Sequence, residues 1–280
     1  MNALEIRNLT KRYDGFQLAP LSLTLPSGCI MGLVGENGAG KTTLIKLILG
    51  MIRSNGGTVR ILGKDNRDDM QLIKQDIGVV LDEVGIPACL NARQVERSMR
   101  FTFTQWDETL FFRCLDLLSI PTDKPFKEFS RGMRMKMGIA VALSHHPKLL
   151  ILDEATSGLD PVVRDEVVQM LNEFTREESH AILMSSHIVS DLEKICDYIA
   201  FLHKGKLLLC QEKDALLEQY GLIQCSKEQL EALDASAVMG KKVSPYGVQA
   251  LVLRDRVPAD IAVRPIGLEE LFIFMVKESA

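Results

Sequence analysis

The chain has 280 residues, of which 46% are hydrophobic and 25% are charged, and its formal net charge is −4 at pH 7. This length allows one large α/β domain with an insertion or a core with a small appendage, and the charge balance gives no basic footprint for nucleic acid. No apolar run reaches the roughly 20 residues of a membrane span, and no apolar signal-peptide core opens the sequence, so a cytoplasmic chain is expected. The six cysteines form no C-x-x-C pair, which is typical of reduced thiols, and the histidines and cysteines lack the spacing of a zinc site.

In chain order, the first feature is a β-rich opening. Up to about residue 25, leucine and isoleucine alternate with polar residues, as in half-buried strands. The apolar run 29–34 then predicts a buried strand, and residues 43–49 predict a helix that ends at Gly50. Between that strand and that helix lies GENGAGKTT (35–43), which is a full match to the P-loop pattern G-x-x-x-x-G-K-[ST].

The chemistry of this loop suits a phosphate ligand. Gly35, Gly38 and Gly40 leave backbone N–H groups free to point inward, and the dipole of the following helix favours anions. Lys41 would add a positive charge, and the Thr42 hydroxyl could ligate Mg²⁺. The loop therefore predicts a nucleoside-triphosphate site. Its expected binding residues are Gly35, Glu36, Asn37, Gly38, Ala39, Gly40, Lys41, Thr42 and Thr43.

The middle of the chain changes character twice. Short apolar runs at 58–62 and 77–81 predict two strands. From about residue 91 the apolar spacing becomes helical, which predicts an inserted helical subdomain over residues 83–145. A buried strand then returns at 149–152 and is followed by two acids.

Strands and helices alternate after this insertion, which favours a largely parallel sheet covered on both faces. The predicted elements are a helix from Asp160 to about Glu178, a strand at 181–185, a hairpin over 198–210, a helix over 211–219 and an amphipathic segment at 268–276. Residues 1–82 and 146–219 are thus expected to form a nucleotide-binding core, and residues 220–280 a small accessory region.

The two acids after the 149–152 strand complete the expected chemistry. Asp153, at the edge of the sheet, would hold Mg²⁺ opposite the phosphates of the nucleotide. Glu154, one residue further on, would orient and polarise the attacking water. An Asp-Glu pair alone could equally cap a turn, but its combination with the P-loop favours the catalytic interpretation.

Further motifs follow in a fixed order. They are Tyr13 in KRYDG, Ser130 and Gly132 in FSRGM (129–133), Asp160 in SGLD (157–160), and His187 in SSH after the 181–185 strand. Over roughly residues 3–210 the chain therefore resembles the nucleotide-binding subunit of an ATP-binding cassette (ABC) transporter. The resemblance covers several motifs in the order of the family rather than one motif alone.

The resemblance implies both a fold and a role for each motif. The implied fold is of the α/β class, with a P-loop NTPase (RecA-like) core, an antiparallel β subdomain, an inserted α-helical subdomain and a small C-terminal accessory unit. Tyr13 would stack on adenine, Ser130 and Gly132 would belong to the signature loop, Asp160 to the D-loop, and His187 would sense the γ-phosphate of ATP. The implied catalytic residues are Lys41, Glu154 and His187.

Asp82, Arg131 and Met133 depart from the pattern of that family. Asp82 stands where the Q-loop has glutamine and could ligate Mg²⁺ through a full charge, together with Thr42 and Asp153. Arg131 replaces a glycine of the signature loop and would either point away or contact a phosphate on the opposite subunit. These departures resemble those of bacterial cassette ATPases that serve small two-subunit exporters of peptides or antibiotics.

The resemblance also implies partners. Each ATP would lie between the P-loop of one subunit and the signature loop of another, so the chain would form a homodimer or a heterodimer with a related ATPase subunit. A separate transmembrane permease would hold it at the inner face of the cell membrane, and nucleic acid is not an expected partner. The permease would contact a groove near residues 82–145. Phe101, Phe103, Trp106 and Phe111 would either line that groove or pack in the helical core.

Three alternatives share parts of this site. A soluble cassette ATPase of translation or DNA repair would carry the same motifs, although such proteins usually have two cassettes or a long coiled-coil insertion. A regulatory switch that hydrolyses ATP weakly would account for the altered positions of Asp82 and Arg131. A P-loop kinase would leave the D-loop and His187 without a role. The sequence favours ATP hydrolysis coupled to transport.

Overall fold

A computed structural model describes residues 1–156, 158–244, 247–259 and 261–278. The strands are β1 (Asn2–Tyr13), β2 (Phe16–Pro26), β3 (Ile30–Val34), β4 (Gly56–Ile61), β5 (Lys64–Asp65), β6 (Ile77–Val80), β7 (Leu149–Asp153), β8 (Ala181–Ser186), β9 (Tyr198–His203), β10 (Lys206–Glu212), β11 (Tyr220–Cys225), β12 (Val238–Ser244) and β13 (Gly247–Leu253). The helices are α1 (Lys41–Ile48), α2 (Met70–Asp76), α3 (Ala92–Thr102), α4 (Glu108–Leu117), α5 (Arg131–Leu143), α6 (Pro161–Phe174), α7 (Val189–Ile195), α8 (Lys213–Gln219), α9 (Lys227–Glu231) and α10 (Leu268–Glu278).

The central sheet has six strands in the order β10-β9-β3-β8-β7-β6. Its neighbouring strands run parallel except for the antiparallel pair β9 and β10. β3, β7 and β8 are buried along their whole length, which explains their continuous apolar sequences. Because parallel strands end at the same edge, the P-loop after β3, the acids at the end of β7 and His187 after β8 come together there. The predicted α/β class is confirmed.

A second, antiparallel sheet covers one side of the core in the order β2-β1-β4-β5. Buried and exposed residues alternate along much of β2, as expected for a strand with one face on the core. Its inward leucines join an apolar cluster that includes Leu44 of α1 and Leu183 of β8. The turn between β1 and β2 thereby brings Tyr13 and Phe16 beside the P-loop.

Helices α3, α4 and α5 follow β6, and each begins at a side-chain cap. Asn91 forms a capping box with Gln94, Asp107 accepts from the backbone N–H of Leu110, and Ser130 accepts from that of Met133. These caps explain why the helical spacing starts where it does in the sequence.

Of the four aromatic residues considered for the groove, Phe103, Trp106 and Phe111 pack in the helical region, Phe101 is exposed, and none of them lines the groove. Phe111 is fully buried and lies 5.3 Å from Trp106, measured between ring centroids. Phe103 stacks on His145 at 3.9 Å. Phe101 is 91% exposed. The aromatic side chains that line the neighbouring groove are instead Phe126 and Phe129.

Two predicted helix boundaries are wrong. α6 ends at Phe174 rather than near Glu178, and the hydroxyl of Thr175 donates to backbone carbonyls of its last turn. The helix expected over 211–219 begins only at Lys213, because the two preceding residues still pair with β9.

The C-terminal region forms an antiparallel sheet in the order β11-β13-β12. Its Leu222, Leu251 and Leu268 belong to an apolar cluster that also contains residues of the central sheet. Phe272 of α10 meets Phe201 of β9 with ring centroids 5.1 Å apart. The region is thus packed onto the core. Among the residues that the structure describes, none of the helices has the length and apolar character needed to cross a membrane.

Candidate nucleotide-binding site

The P-loop turns tightly from β3 into α1. Gly40 precedes the helix with a φ of 108°, and a Cβ atom there would lie 2.8 Å from Cζ of Phe16. A Cβ atom on Gly35 would lie 2.5 Å from the carbonyl oxygen of Leu202. Both positions therefore require glycine, because a side chain would push the loop away from the elements that support it. The space next to Gly38 is open, which leaves room for a phosphate.

A cavity of about 860 Å³ lies over this loop. This volume is within the roughly 300–1,000 Å³ of small-molecule sites. The lining residues are Tyr13, Phe16, Glu36, Asn37, Gly38, Gly40, Lys41, Thr42, Thr43, Asp82, Arg131, Glu154 and His187. Most of the sequence-predicted nucleotide residues thus meet at one cavity, while Gly35 and Ala39 are buried beneath the loop.

Lys41 places a positive charge in this cavity. Only 7% of its side chain is exposed. Its Nζ donates to the carbonyl oxygens of Gly35 at 2.6 Å and Glu36 at 3.4 Å, and it lies 3.4 Å from Oε1 of Glu154. The ammonium is therefore surrounded by oxygens that a bound phosphate could replace.

Asp153 is held rigidly behind the cavity. It is 1% exposed, and its Oδ1 accepts a hydrogen bond of 2.6 Å from the hydroxyl of Ser185. The two residues are register partners at the ends of β7 and β8. Ser185 also accepts from the backbone N–H of Glu154 at 3.1 Å, through its hydroxyl and its carbonyl oxygen alike. One serine therefore orients both acids.

Glu154 connects two other functional side chains. Its backbone has a φ of 56°, a conformation that is unfavourable for a residue other than glycine and that occurs often at functional sites. Its Oε2 contacts Nδ1 of His187 at 2.5 Å, and its Oε1 faces Lys41. The carboxylate thus lies between a lysine and a histidine at the cavity wall, where it can act on a water molecule.

The donor set fits Mg²⁺. Thr42 and Asp82 bring a hydroxyl and a carboxylate to the cavity. Asp153 ends β7, which pairs with β6, the strand that precedes Asp82. These are hard oxygen ligands, and Mg²⁺ is commonly bound by one or two carboxylates together with substrate phosphates. Within the described ranges, no group of three or more His, Cys, Asp or Glu side chains is placed to hold a metal ion. The metal role of these three residues stays a prediction.

The signature and D-loop residues lie at a separate cavity of about 460 Å³. Its lining residues are Ser130, Arg131, Gly132, Met133, Lys136, Gly158, Leu159 and Asp160. Asp160 caps α6 by accepting from the N–H of Val163, as predicted. Ser157 lies outside the described residues. Within one chain, then, Ser130, Gly132 and Asp160 do not join Lys41 at the first cavity.

Sequence reasoning missed two participants, Phe16 and Ser185, and the pairing of Arg131 with Asp82. Phe16 follows the turn after Tyr13 and packs on the P-loop. Ser185 was seen only as part of a strand, although its place at the end of a parallel strand beside Asp153 could have indicated its role. Arg131 lines the nucleotide cavity of its own chain, where it pairs with Asp82. No sequence signal joins these last two residues.

A glycine cradle with a buried lysine after β3, together with an acidic pair at the end of β7, which is separated from β3 by β8 in the same parallel sheet, defines a P-loop nucleotide-binding domain. Comparison with known proteins identifies its family. The family model described as "ABC transporter" matches residues 18–157. The chain belongs to the ABC transporter family, as an ATP-binding subunit.

Two relatives and one solved structure illustrate the similarity. The "Uncharacterized ABC transporter ATP-binding protein YhcH" of Bacillus subtilis is 33% identical over 98% of this chain and 91% of its own length. The "Bacitracin transport ATP-binding protein BcrA" of Bacillus licheniformis is 34% identical over 73% of this chain and 68% of its own. A solved dimeric ATP-binding cassette, in a post-hydrolysis state with ADP and Pi, has a TM-score of 0.67 at 20% identity, covering 75% of this chain and 98% of that one.

Proposed function

We propose that the chain binds and hydrolyses ATP with Mg²⁺ and thereby drives a separate membrane permease that exports a peptide, an antibiotic or a similar compound. The observation that carries the proposal is the convergence of Lys41, Glu154 and His187 on one cavity. A lysine for phosphate charge and a carboxylate for water are the groups that phosphoryl transfer to water requires.

The residues at and beside the cavity have distinct roles in the proposed reaction. Tyr13 stacks on the adenine, and Lys41 neutralises charge on the transferred phosphate. Glu154 accepts the proton of the attacking water, while His187 holds the carboxylate in place through Nδ1 and faces the γ-phosphate. Thr42, Asp153 and Asp82 would hold Mg²⁺, which would supply further charge neutralisation.

We infer that ATP closes a dimer. Ser130, Gly132 and Asp160 form a surface separate from their own P-loop, so they are available to cover the nucleotide of a second subunit. A twofold dimer would build two such composite sites. Hydrolysis would then remove the ligand that favours the closed state. The dimeric solved cassette supports this arrangement, for a homodimer or for a heterodimer with a related subunit.

The permease has a suitable docking site beside the nucleotide cavity. A groove of about 730 Å³ is lined by Val84, Phe126 and Phe129 together with Asp82 and Arg131, among others. An amphipathic cytoplasmic helix of the permease could insert its apolar face there and hold the chain at the inner face of the membrane. Similarity to the bacitracin transport protein supports a peptide or an antibiotic as the exported compound.

Glu154→Gln tests the proposed reaction. The amide keeps the shape of the side chain but cannot accept a proton, so we expect steady-state phosphate release to fall by about 10²–10⁴-fold. ATP binding should persist, and a stable dimer should form with ATP. Glu177→Gln, at an exposed position after α6, is the control and should hydrolyse ATP normally. Phosphate release by Glu154→Gln close to that of the unmutated chain would contradict the assignment.

A further inference from the structure

One ion pair joins Asp82 and Arg131, two of the positions that depart from the family pattern. Nη2 of Arg131 donates to Oδ1 of Asp82 at 2.5 Å. Asp82 follows β6, whereas Arg131 begins α5, so the pair connects the segment after β6 with the start of α5, 49 residues further along the sequence. Both side chains line the nucleotide cavity and also the groove proposed for the permease. The pair therefore forms part of the wall that these two cavities share.

Arg131 also reaches the surface proposed to meet a second subunit. It lines the cavity that contains Ser130, Gly132 and Asp160. Its Cδ lies 3.5 Å from the position that a Cβ atom on Gly158 would take. A single guanidinium thus stands where the nucleotide cavity, the permease groove and the subunit surface come together.

The exposure of the pair allows it to exchange partners. The side chains of Arg131 and Asp82 are 58% and 51% exposed, and an exposed ion pair of this kind contributes little to stability. A carboxylate that is engaged by a guanidinium is also less available to a cation, because both compete for the same oxygens.

We propose that Arg131 is a positioning residue that competes with Mg²⁺ for the Asp82 carboxylate within one subunit. This inference rests on the proposed function. Without nucleotide, Arg131 retains Asp82. When Mg²⁺ and ATP are bound, the carboxylate turns to the metal and the guanidinium is released towards the second subunit. The charges that line the groove change at the same time, so a permease bound there would meet a different charge pattern with and without the nucleotide.

The test is a double-mutant cycle read by binding rather than by turnover. A fluorescent ATP analogue is titrated onto the full chain at increasing Mg²⁺ concentrations, and the Mg²⁺ concentration for half-maximal binding is compared. Arg131→Gln removes the competing cation, so we expect this concentration to fall about two- to fivefold, as the strength of an exposed ion pair allows. In the Asp82→Asn background, Arg131→Gln should produce no further decrease.

Two matched controls separate this effect from general changes of charge. Arg134→Gln alters another arginine of α5, whose guanidinium donates to backbone carbonyls of Phe129 and Lys127. Glu83→Gln alters the acid next to Asp82, which lines the permease groove. Both should leave the Mg²⁺ requirement unchanged within about 1.5-fold, well below the ion-pair effect.

The outcomes are distinguishable. Two results would overturn the competition between Arg131 and Mg²⁺. In one, Arg131→Gln changes the Mg²⁺ concentration for half-maximal binding equally with and without the Asp82 carboxylate. In the other, it leaves that concentration unchanged in both backgrounds. Failure of the unmutated chain to bind the ATP analogue at any Mg²⁺ concentration would instead overturn the proposed function.

Discussion

Lys41→Met is the simplest test of the nucleotide cavity. Methionine has a similar length but no charge, so the substitution removes the ammonium and keeps most of the bulk. In the structure that ammonium contacts the carbonyl oxygens of Gly35 and Glu36 and the carboxylate of Glu154. The variant therefore loses the positive charge that the phosphates of ATP would meet.

The size of the effect follows from the environment of Lys41. A hydrogen bond to a charged group contributes roughly 1.5–3 kcal/mol, and about 1.4 kcal/mol is a tenfold change in affinity. Because 7% of the side chain is exposed, the ammonium is already largely removed from water before ATP arrives. We therefore expect Lys41→Met to weaken ATP binding about 10- to 150-fold.

Titration calorimetry with ATP in the presence of Mg²⁺ measures this change directly. Lys46→Met is the matched control, because Lys46 belongs to the same helix and does not line the cavity. It should bind ATP with unchanged affinity. If Lys41→Met bound ATP as tightly as Lys46→Met does, the assignment of this cavity to the phosphates would be refuted.

Two further predictions concern the helical region. Phe111→Ala should lower the free energy of unfolding by about 3–5 kcal/mol, because it empties a fully buried site, whereas Phe101→Ala at a 91% exposed position should change it by less than about 0.5 kcal/mol in the same denaturant titration. Burial lowers the pKa of His145, so the unfolded chain binds this proton more readily than the folded one. The contribution of His145 to the free energy of unfolding should therefore be fully present above the unfolded pKa of about 6.5 and should be lost as the pH falls below it. The free energy of unfolding, measured by denaturant titration at several pH values between 5 and 8, should therefore rise less steeply with pH for His145→Gln than for the unmutated chain. An equal dependence on pH in both proteins would exclude a contribution of His145.

The central sheet was predictable because local sequence determines it. β3, β7 and β8 are short apolar runs followed by glycine, acidic or histidine residues, and a parallel sheet brings such strand ends to one edge. The meeting of Lys41, Glu154 and His187 follows from this topology. Caps such as Asp160 were predictable for the same reason, since an N-cap depends on its own residue and on the next three.

Other features depend on contacts between distant segments and leave no local pattern. The pairing of Asp82 with Arg131 depends on how α5 is placed against the end of β6. Phe111 and Phe101 have the same side chain, but Phe111 is buried where α4 packs on α5, whereas Phe101 points to solvent from α3. The end of α6 at Phe174 also reflects its surroundings, where the ring of Phe174 stacks on His180.

The central claim is that each ATP site combines two subunits, and mixing two inactive variants tests it most directly. Lys41→Met impairs the P-loop, and Gly132→Asp introduces a negative charge on the signature surface, in the first turn of α5 where an acid is compatible with the helix. A mixed dimer would pair the intact P-loop of one variant with the intact signature loop of the other. We predict that an equal mixture regains about a quarter of the wild-type ATPase rate, as random pairing of twofold dimers requires. A rate no higher than the average of the two variants measured separately would contradict the composite site.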